Sequence, residues 1–466
     1  MTTLANTRSV DRRAFLKCCA AGGLGLYPAL SLAADIKGGG MLAPQRAHFP
    51  PKAKNLIVVF LTGGFSHVDT FDPKPRLQTD HGKKVVNREL RDTSDKAFYL
   101  IGSPFKFTPR GRSGLMISEL FPHLGALADD LCVIRTLHTD ILEHFQATLA
   151  MHTGSATVPM PSLGSWLSYG LGASNKSLPP YVVLAEHMPY AGAQVWDCSF
   201  LPAQHQGVRV VPGAEPIPDL RSPARSVTLQ ELEQMMLRDV NEMHARLRSH
   251  DLKLRARSKS FETARGMMRH APEVFDIAGE TDATLQRYGF PRGDNKSFAW
   301  QCLVARRLVE RGVRAVELID TGSNNNWDAH SNMQEHRPKA GRVDRALAAL
   351  VGDLKQRGLL KQTLVAICTE FGRTPWGATP NDKGRNHHAK AFTCLLAGAG
   401  VKGGITYGTT DDHGIDIAAD PCHVHDYHAT ILHLMGIDHT KLTYRYSGRD
   451  FRLTDVHGNV LKPILS

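Results

Sequence analysis

The segment from Leu364 to Gly400 holds the residues best suited to chemistry. An apolar, β-rich run (LVAICT) stops at Glu370, Gly372 and Arg373, and a loop with Asp382, Arg385, Asn386, His387 and His388 follows. A second apolar run (AFTCLLAG) then closes on glycines. A carboxylate and an imidazole delivered to one sheet edge suit a divalent ion, and ligands of open α/β sheets gather at the carboxyl ends of strands. Three more stretches have this character. His67 and Asp69 follow Gly63-Gly64, and an extended backbone there would send both side chains one way. Asp328 and His330, two apart in a loop with Asn324 to Asn326, can reach one ion. His144 follows a strand, with His138 and Asp140, where an imidazole can bind metal or exchange protons near neutral pH. Structural readings compete with each. Glu370 could pair with Arg373, Asp69 and Asp328 could bond their own turns, and His144 could simply pack. His423, His425, His428 and His433 also suggest a metal string, but helical packing and capping suffice for them, with Asp426 as the N-cap.

These residues need strands and helices to bring them together. Asn55 to Thr62 (NLIVVFLT) is a continuous apolar run, as a central parallel strand requires. Leu131–Arg135, Leu178–Ala185, Arg314–Ile319 and Leu364–Thr369 are predicted as further strands. Residues 141–151, 297–311 and 343–356 carry helical patterns between them. This alternation predicts a doubly wound sheet. Residues 76–115 are polar and turn-rich, and 186–224 show no period. Residues 225–295 are long, helical and charged, and are predicted as a helical insertion.

The N-terminus sets the compartment. Asp11-Arg12-Arg13-Ala14-Phe15-Leu16-Lys17 reads as a twin-arginine export motif, followed by an uncharged run to Ala34 and small residues at cleavage spacing. That 17-residue run is glycine-bearing and shorter than the ~20 apolar residues of a span, so no stable membrane span is expected after processing. Removing residues 1–34 from the 466 leaves a 432-residue chain with 52 basic and 44 acidic residues, net +8. One mildly basic helical stretch, without interleaved aromatics, does not favour nucleic acid; anionic esters or polysaccharides fit better. Six cysteines remain, Cys132, Cys198, Cys302, Cys368, Cys394 and Cys422, none in a Cys-x-x-Cys pair, so a structural zinc cluster is not expected. Cys368 and Cys394 fall within apolar strands, as buried thiols do.

Several motifs together carry a family resemblance. They are Gly64-Phe65-Ser66-His67-Val68-Asp69-Thr70-Phe71-Asp72-Pro73-Lys74-Pro75, Trp327-Asp328-Ala329-His330, Thr369-Glu370-Phe371-Gly372-Arg373-Thr374-Pro375, Gly384-Arg385-Asn386-His387 and the tail YRYSGRDFRLTDV from Tyr444 to Val456. Over nearly its whole mature length the chain resembles the domain of unknown function 1501 family, exported sulfatase-like proteins of the alkaline phosphatase superfamily. The resemblance implies one three-layer α/β/α alkaline phosphatase-like domain over 35–466. Thr369-Glu370-Phe371-Gly372 stands where related enzymes end a strand in Asp-His-Gly or Asp-Asn-Gly, and His387 resembles the late metal-binding histidine of metal-dependent mutases. Sulfatases carry Cys/Ser-x-Pro-x-Arg about nine residues before Thr-Gly. Here Thr153-Gly154 is present, but His144 stands at that place and no Cys-x-Pro-x-Arg occurs, so formylglycine chemistry is disfavoured.

The resulting expectation is a periplasmic metal-dependent hydrolase of phosphate or sulfate esters, small or polysaccharide. Asp69, Asp328, His330, Glu370 and His387 are its expected ligands for zinc, manganese or calcium. His144 is the expected acid or base, and Arg373 and Arg385 the expected bidentate holders of the anionic group. The alternative is a non-catalytic, exported, metal-stabilised binding protein for a polysaccharide or protein partner. The twin-arginine export machinery is an expected partner in either case.

Overall fold

The structure, a computed structural model, describes residues 44–85, 97–175, 177–218, 220, 226–248 and 251–466. The export motif of residues 1–34 lies outside the described residues. Among those described, nine strands form the main sheet: β1 Asn55–Phe60, β2 Leu131–His138, β3 Tyr181–Ala185, β4 Val208–Val210, β5 Ala315–Ile319, β6 Thr363–Cys368, β7 Phe392–Gly398, β8 Ile405–Tyr407 and β9 Cys422–His423. Their spatial order is β8-β2-β7-β6-β1-β5-β3-β4, with β9 also on β2. Every pairing is parallel except the two made by β7, which runs against β6 and β2.

The central strands are almost wholly apolar because both faces are covered, with buried Glu317 of β5 paired to His152. Alternate residues divide between two cores. Ile57, Val59, Val316, Leu318, Val365 and Ile367 pack with Trp300, Leu303, Val343 and Leu350. Leu56, Phe60, Ala315, Ile319, Leu364 and Ala366 pack with Trp166, Leu167, Tyr427 and Ile431. The covering helices are α1 His144–Thr153, α2 Leu163–Leu171, α5 Asp282–Tyr288, α6 Phe298–Glu310, α7 His336–Gln356 and α8 Val424–Leu434. Two long helices, α3 Val227–Arg246 and α4 Leu252–Phe275, lie in sequence between β4 and α5. The architecture is the expected three-layer α/β/α. All six cysteines of the described residues are free and buried. Among the described residues no helix is long and apolar enough to cross a membrane.

Strand direction explains where the candidate residues meet. β1, β5 and β6 end at one edge of the sheet, and Gly63, Asp328 and Glu370 follow those ends. β7 runs the other way, so its start lies at that same edge, and His387 precedes it. A two-stranded ladder, Gly372–Arg373 against His387–His388, pairs Arg373 with His387. The polar stretch expected over 76–115 holds short strands instead: Phe98–Leu100 pairs with Trp376–Gly377 and Lys84–Val85, and Phe107–Arg110 pairs with Leu115–Ser118.

Candidate metal centre

Glu370 follows β6 and is fully buried. Its Oε1 accepts from the Gly63 backbone N–H at 2.8 Å, and Thr369 Oγ1 donates to Oε2 at 2.9 Å. Gly63 has φ +107°, and a Cβ there would fall 2.7 Å from the Trp327 nitrogen, so the turn after β1 requires glycine. That close approach sets the 320–330 loop against β1. Trp327 N–H donates to Thr62 O, while buried Asp320 accepts from Thr62 N–H and from Trp327 Nε1. Asp328 comes next.

His144 opens α1, between two carboxylates. Its Nδ1 lies 2.7 Å from Glu370 Oε1, and its Nε2 lies 3.2 Å from Asp328 Oδ2. Nε2 is buried, with the Asp328 carboxylate as its ion-pair partner. The Tyr190 ring stacks on the imidazole at 4.1 Å, and Tyr190 accepts from Asn326 Nδ2. Burial alone would lower the His144 pKa, but the hydrogen bonds and charges of Asp328 and Glu370 outweigh it, and the pKa is raised.

His387 faces the same point. Its Nδ1 donates to Leu142 O at 2.8 Å, and its Nε2 lies 3.3 Å from Asp328 Oδ1. Burial, with the nearby Arg373 and His144 charges, lowers its pKa despite the Asp328 hydrogen bond. Burial opposes ionisation of Asp328, yet its hydrogen bonds to His144 and His387 and the Arg373 charge hold its carboxyl well below the usual range. His144, Asp328 and His387 each present one ligand atom, and these atoms lie within 4.8 Å of one another. Glu370 and Leu142 O hold the two Nδ1–H groups, which leaves the Nε2 lone pairs for an ion. Carboxylate or carbonyl behind imidazole is the usual support of metal-binding histidines.

The other expected site residues fall in three places. Glu370 stands behind His144, as its orienting partner. His330 sits at the rim, half exposed, with Nε2 2.8 Å from Asp328 Oδ1 and 3.1 Å from His387 Nε2. Asp69 joins a different group. His67–Thr70 is a helical turn, so the alternation expected after Gly64 does not apply. Asp69 accepts from Arg385 Nε at 2.7 Å, from Arg385 NH2 at 3.2 Å and from Ser66 Oγ at 2.6 Å. Burial would raise its pKa, but the Arg385 charge and these hydrogen bonds lower it. Both partners are buried, and Arg385 also donates to Thr374 O and Ile101 O. The Arg385 guanidinium is thus engaged inside the protein rather than presented to an anion. Arg373 is buried too: it donates to the Gly63 and Gly64 carbonyls and lies 2.5 Å from Asp328 Oδ1. His423, not Asp426, is the N-cap of α8, with Asp426 completing a capping box. Tyr190 and the Leu142 carbonyl have no counterpart in the sequence reading. Tyr190 lies in an aperiodic stretch, and a carbonyl carries no sequence signal.

The match to known proteins covers residues 53–465 and is to the family described as protein of unknown function (DUF1501). The chain belongs to the DUF1501 family. No curated protein matches it in sequence. Solved structures are similar only distantly. Lipoteichoic acid synthase LtaP from Listeria monocytogenes is 10% identical with TM-score 0.37, over 91% of this chain and 80% of its own. PsFucS1 sulfatase from Pseudoalteromonas sp. is 13% identical with TM-score 0.35, over 88% and 71%. Alkaline phosphatase from the Antarctic bacterium TAB5 is 11% identical with TM-score 0.31, over 79% and 96%.

Proposed function

We propose that this chain is a metal-dependent hydrolase of phosphate or sulfate esters, with its ion held by His144, Asp328 and His387. The observation that carries the reading is the convergence of three donor atoms, from His144, Asp328 and His387, within 4.8 Å. Two imidazoles and one carboxylate suit zinc or manganese; calcium prefers an all-oxygen shell. A divalent ion there would polarise an ester oxygen and lower the pKa of bound water.

The protein's own groups have separate roles in this reading. Glu370 fixes the His144 tautomer and ring plane. Arg373 holds Asp328 ionised and ties it to the Gly63-Gly64 turn. Tyr190 covers one face of His144 and limits water there. His330, exposed at the rim, is placed to pass a proton between solvent and a leaving group. Residues 1–34 would send the folded protein to the periplasm through the twin-arginine machinery, where small or polysaccharide esters are the substrates.

A second reading, a non-catalytic metal-stabilised binding protein, is favoured by one observation: Arg373 and Arg385 are both engaged internally, which leaves the ion as the main attraction for an anionic group. A turnover screen of the zinc- and manganese-loaded chain across phosphate and sulfate esters separates the two. Hydrolysis abolished by Asp328→Ala is expected. Metal bound at full occupancy without turnover of any ester would favour the binding protein.

A further inference from the structure

Helix α3 and its C-cap residue carry eight exposed large apolar side chains, and six of them form a stripe that no described residue covers. Leu229, Leu232, Met236, Val240, Met243 and Leu247 are between 41% and 84% exposed. Their spacing of three or four residues makes one straight stripe along the helix. The stripe is not the face that meets α4. Gln230 and Gln234 reach Met268 of α4, and Glu231 pairs with Arg269. At about 100° per residue, the stripe lies on the opposite side, pointing away from the hairpin. It runs along about 27 Å of helix and offers on the order of several hundred Å² of apolar surface, the size at which a bare patch marks an interaction site.

The pattern selects the occupant. Turned end for end about Arg238, Leu229 falls on Leu247 and Met236 on Val240, while Leu232 meets His244 and Met243 meets Glu233. The charges divide along the helix. Glu231 and Glu233 lie near its start, and His244, Arg246 and Arg248 near or just past its end. A second α3 laid antiparallel therefore sets acidic against basic ends and apolar against apolar centres, with the helix dipoles opposed. Parallel pairing would set like charges together. Within α3 itself four acidic residues, Glu231, Glu233, Asp239 and Glu242, outnumber Arg238 and Arg246, which opposes adsorption to an anionic bilayer. Asp239, near the midpoint, is matched within its own chain by Arg238 at 3.0 Å.

We propose that two copies of this chain pair through α3, packed antiparallel about a twofold axis near Arg238. Such an isologous contact closes on itself. A stable pair needs about 800 Å² from each partner, so the polar flanks of the stripe must join the contact. The proposal is independent of the metal centre.

Sedimentation equilibrium of the full chain tests it. A dimer at micromolar concentration is expected. Met236→Glu with Val240→Glu, both on an exposed face, should raise the monomer–dimer midpoint at least 100-fold while circular dichroism and thermal unfolding stay unchanged. Orientation is read by cysteine pairing: a mixture of Leu229→Cys and Leu247→Cys chains should oxidise to a cross-linked heterodimer, and Leu229→Cys alone should not cross-link. A wild-type chain that stays monomeric would overturn the proposal. So would a dimer indifferent to the double substitution, a Leu229→Cys self-cross-link, or binding to phosphatidylglycerol vesicles that the same substitutions abolish.

Discussion

Two groups of acidic and basic residues stand near the ends of the central strands, and they differ in whether metal-ligating atoms converge on one point. Around Asp69, Arg385 and Ser66 every partner is internal: the carboxylate receives two guanidinium bonds and a hydroxyl, and the guanidinium also reaches backbone carbonyls. Around His144, Asp328 and His387 the imidazoles are held from behind, and both Nε2 atoms face the Asp328 carboxylate. The first group is closed and fixes the loops after β1 and before β7. The second is open and can take an ion. Residue type alone does not separate them; the convergence of ligand atoms does.

The largest effect that would sharpen this contrast is on stability. Arg385→Ala leaves Asp69 as a buried, unpaired carboxylate, and removing one partner of a buried pair costs about 3–5 kcal/mol. Urea unfolding should show this loss, whereas an effect below about 1 kcal/mol would mean the pair is solvated. The sign with pH follows from the lowered Asp69 pKa. Its contribution is present above the ordinary carboxylate value and is lost as pH falls through the lowered folded value. The Arg385→Ala deficit should therefore shrink in acid.

A smaller effect is expected one residue behind the ion. Glu370→Gln keeps an acceptor for His144 Nδ1–H but removes its charge. Zinc affinity, measured by competition with a chromophoric chelator, should fall about 10–100-fold, as losses of a supporting carboxylate do. Unchanged affinity would place His144 outside the site. Smaller still, per pH unit, is proton competition. Because the His144 pKa is raised, the metal-free protein keeps a proton there above the ordinary histidine value, and an ion must displace it. Zinc affinity should fall about tenfold per pH unit below that raised value, and a pH-independent affinity would argue against His144 as a ligand.

The sequence made the frame legible where residues speak locally. β1 and β6 are nearly continuous apolar runs and β5 is one broken only by Glu317, and the observed Asn55–Phe60, Ala315–Ile319 and Thr363–Cys368 differ from the expected spans by one or two residues. Short strands such as Val208–Val210 and Cys422–His423 were not legible, because pairing with β3 and β2 creates them. Helix α7 begins at His336, earlier than the expected Val343, since Pro338 sits in the first turn where no helical N–H is required. At the site, Asp328 and His387 carried their chemistry in their motifs. The Asp69–Arg385 pair did not, because it joins residues 316 apart. The His144–Glu370 contact was hidden for the same reason: it depends on α1 and β6 delivering side chains 226 residues apart to one bond.

The most direct test is metal content per chain, by mass spectrometry, after zinc loading and desalting at neutral pH. It should be made on the wild type, on Asp69→Asn, and on His144→Ala combined with His387→Ala, each checked as folded by circular dichroism. One ion per chain is expected in the wild type and in Asp69→Asn, and none in the double variant. An ion retained by the folded double variant, or lost from folded Asp69→Asn, would contradict the assignment of the open group as the metal centre.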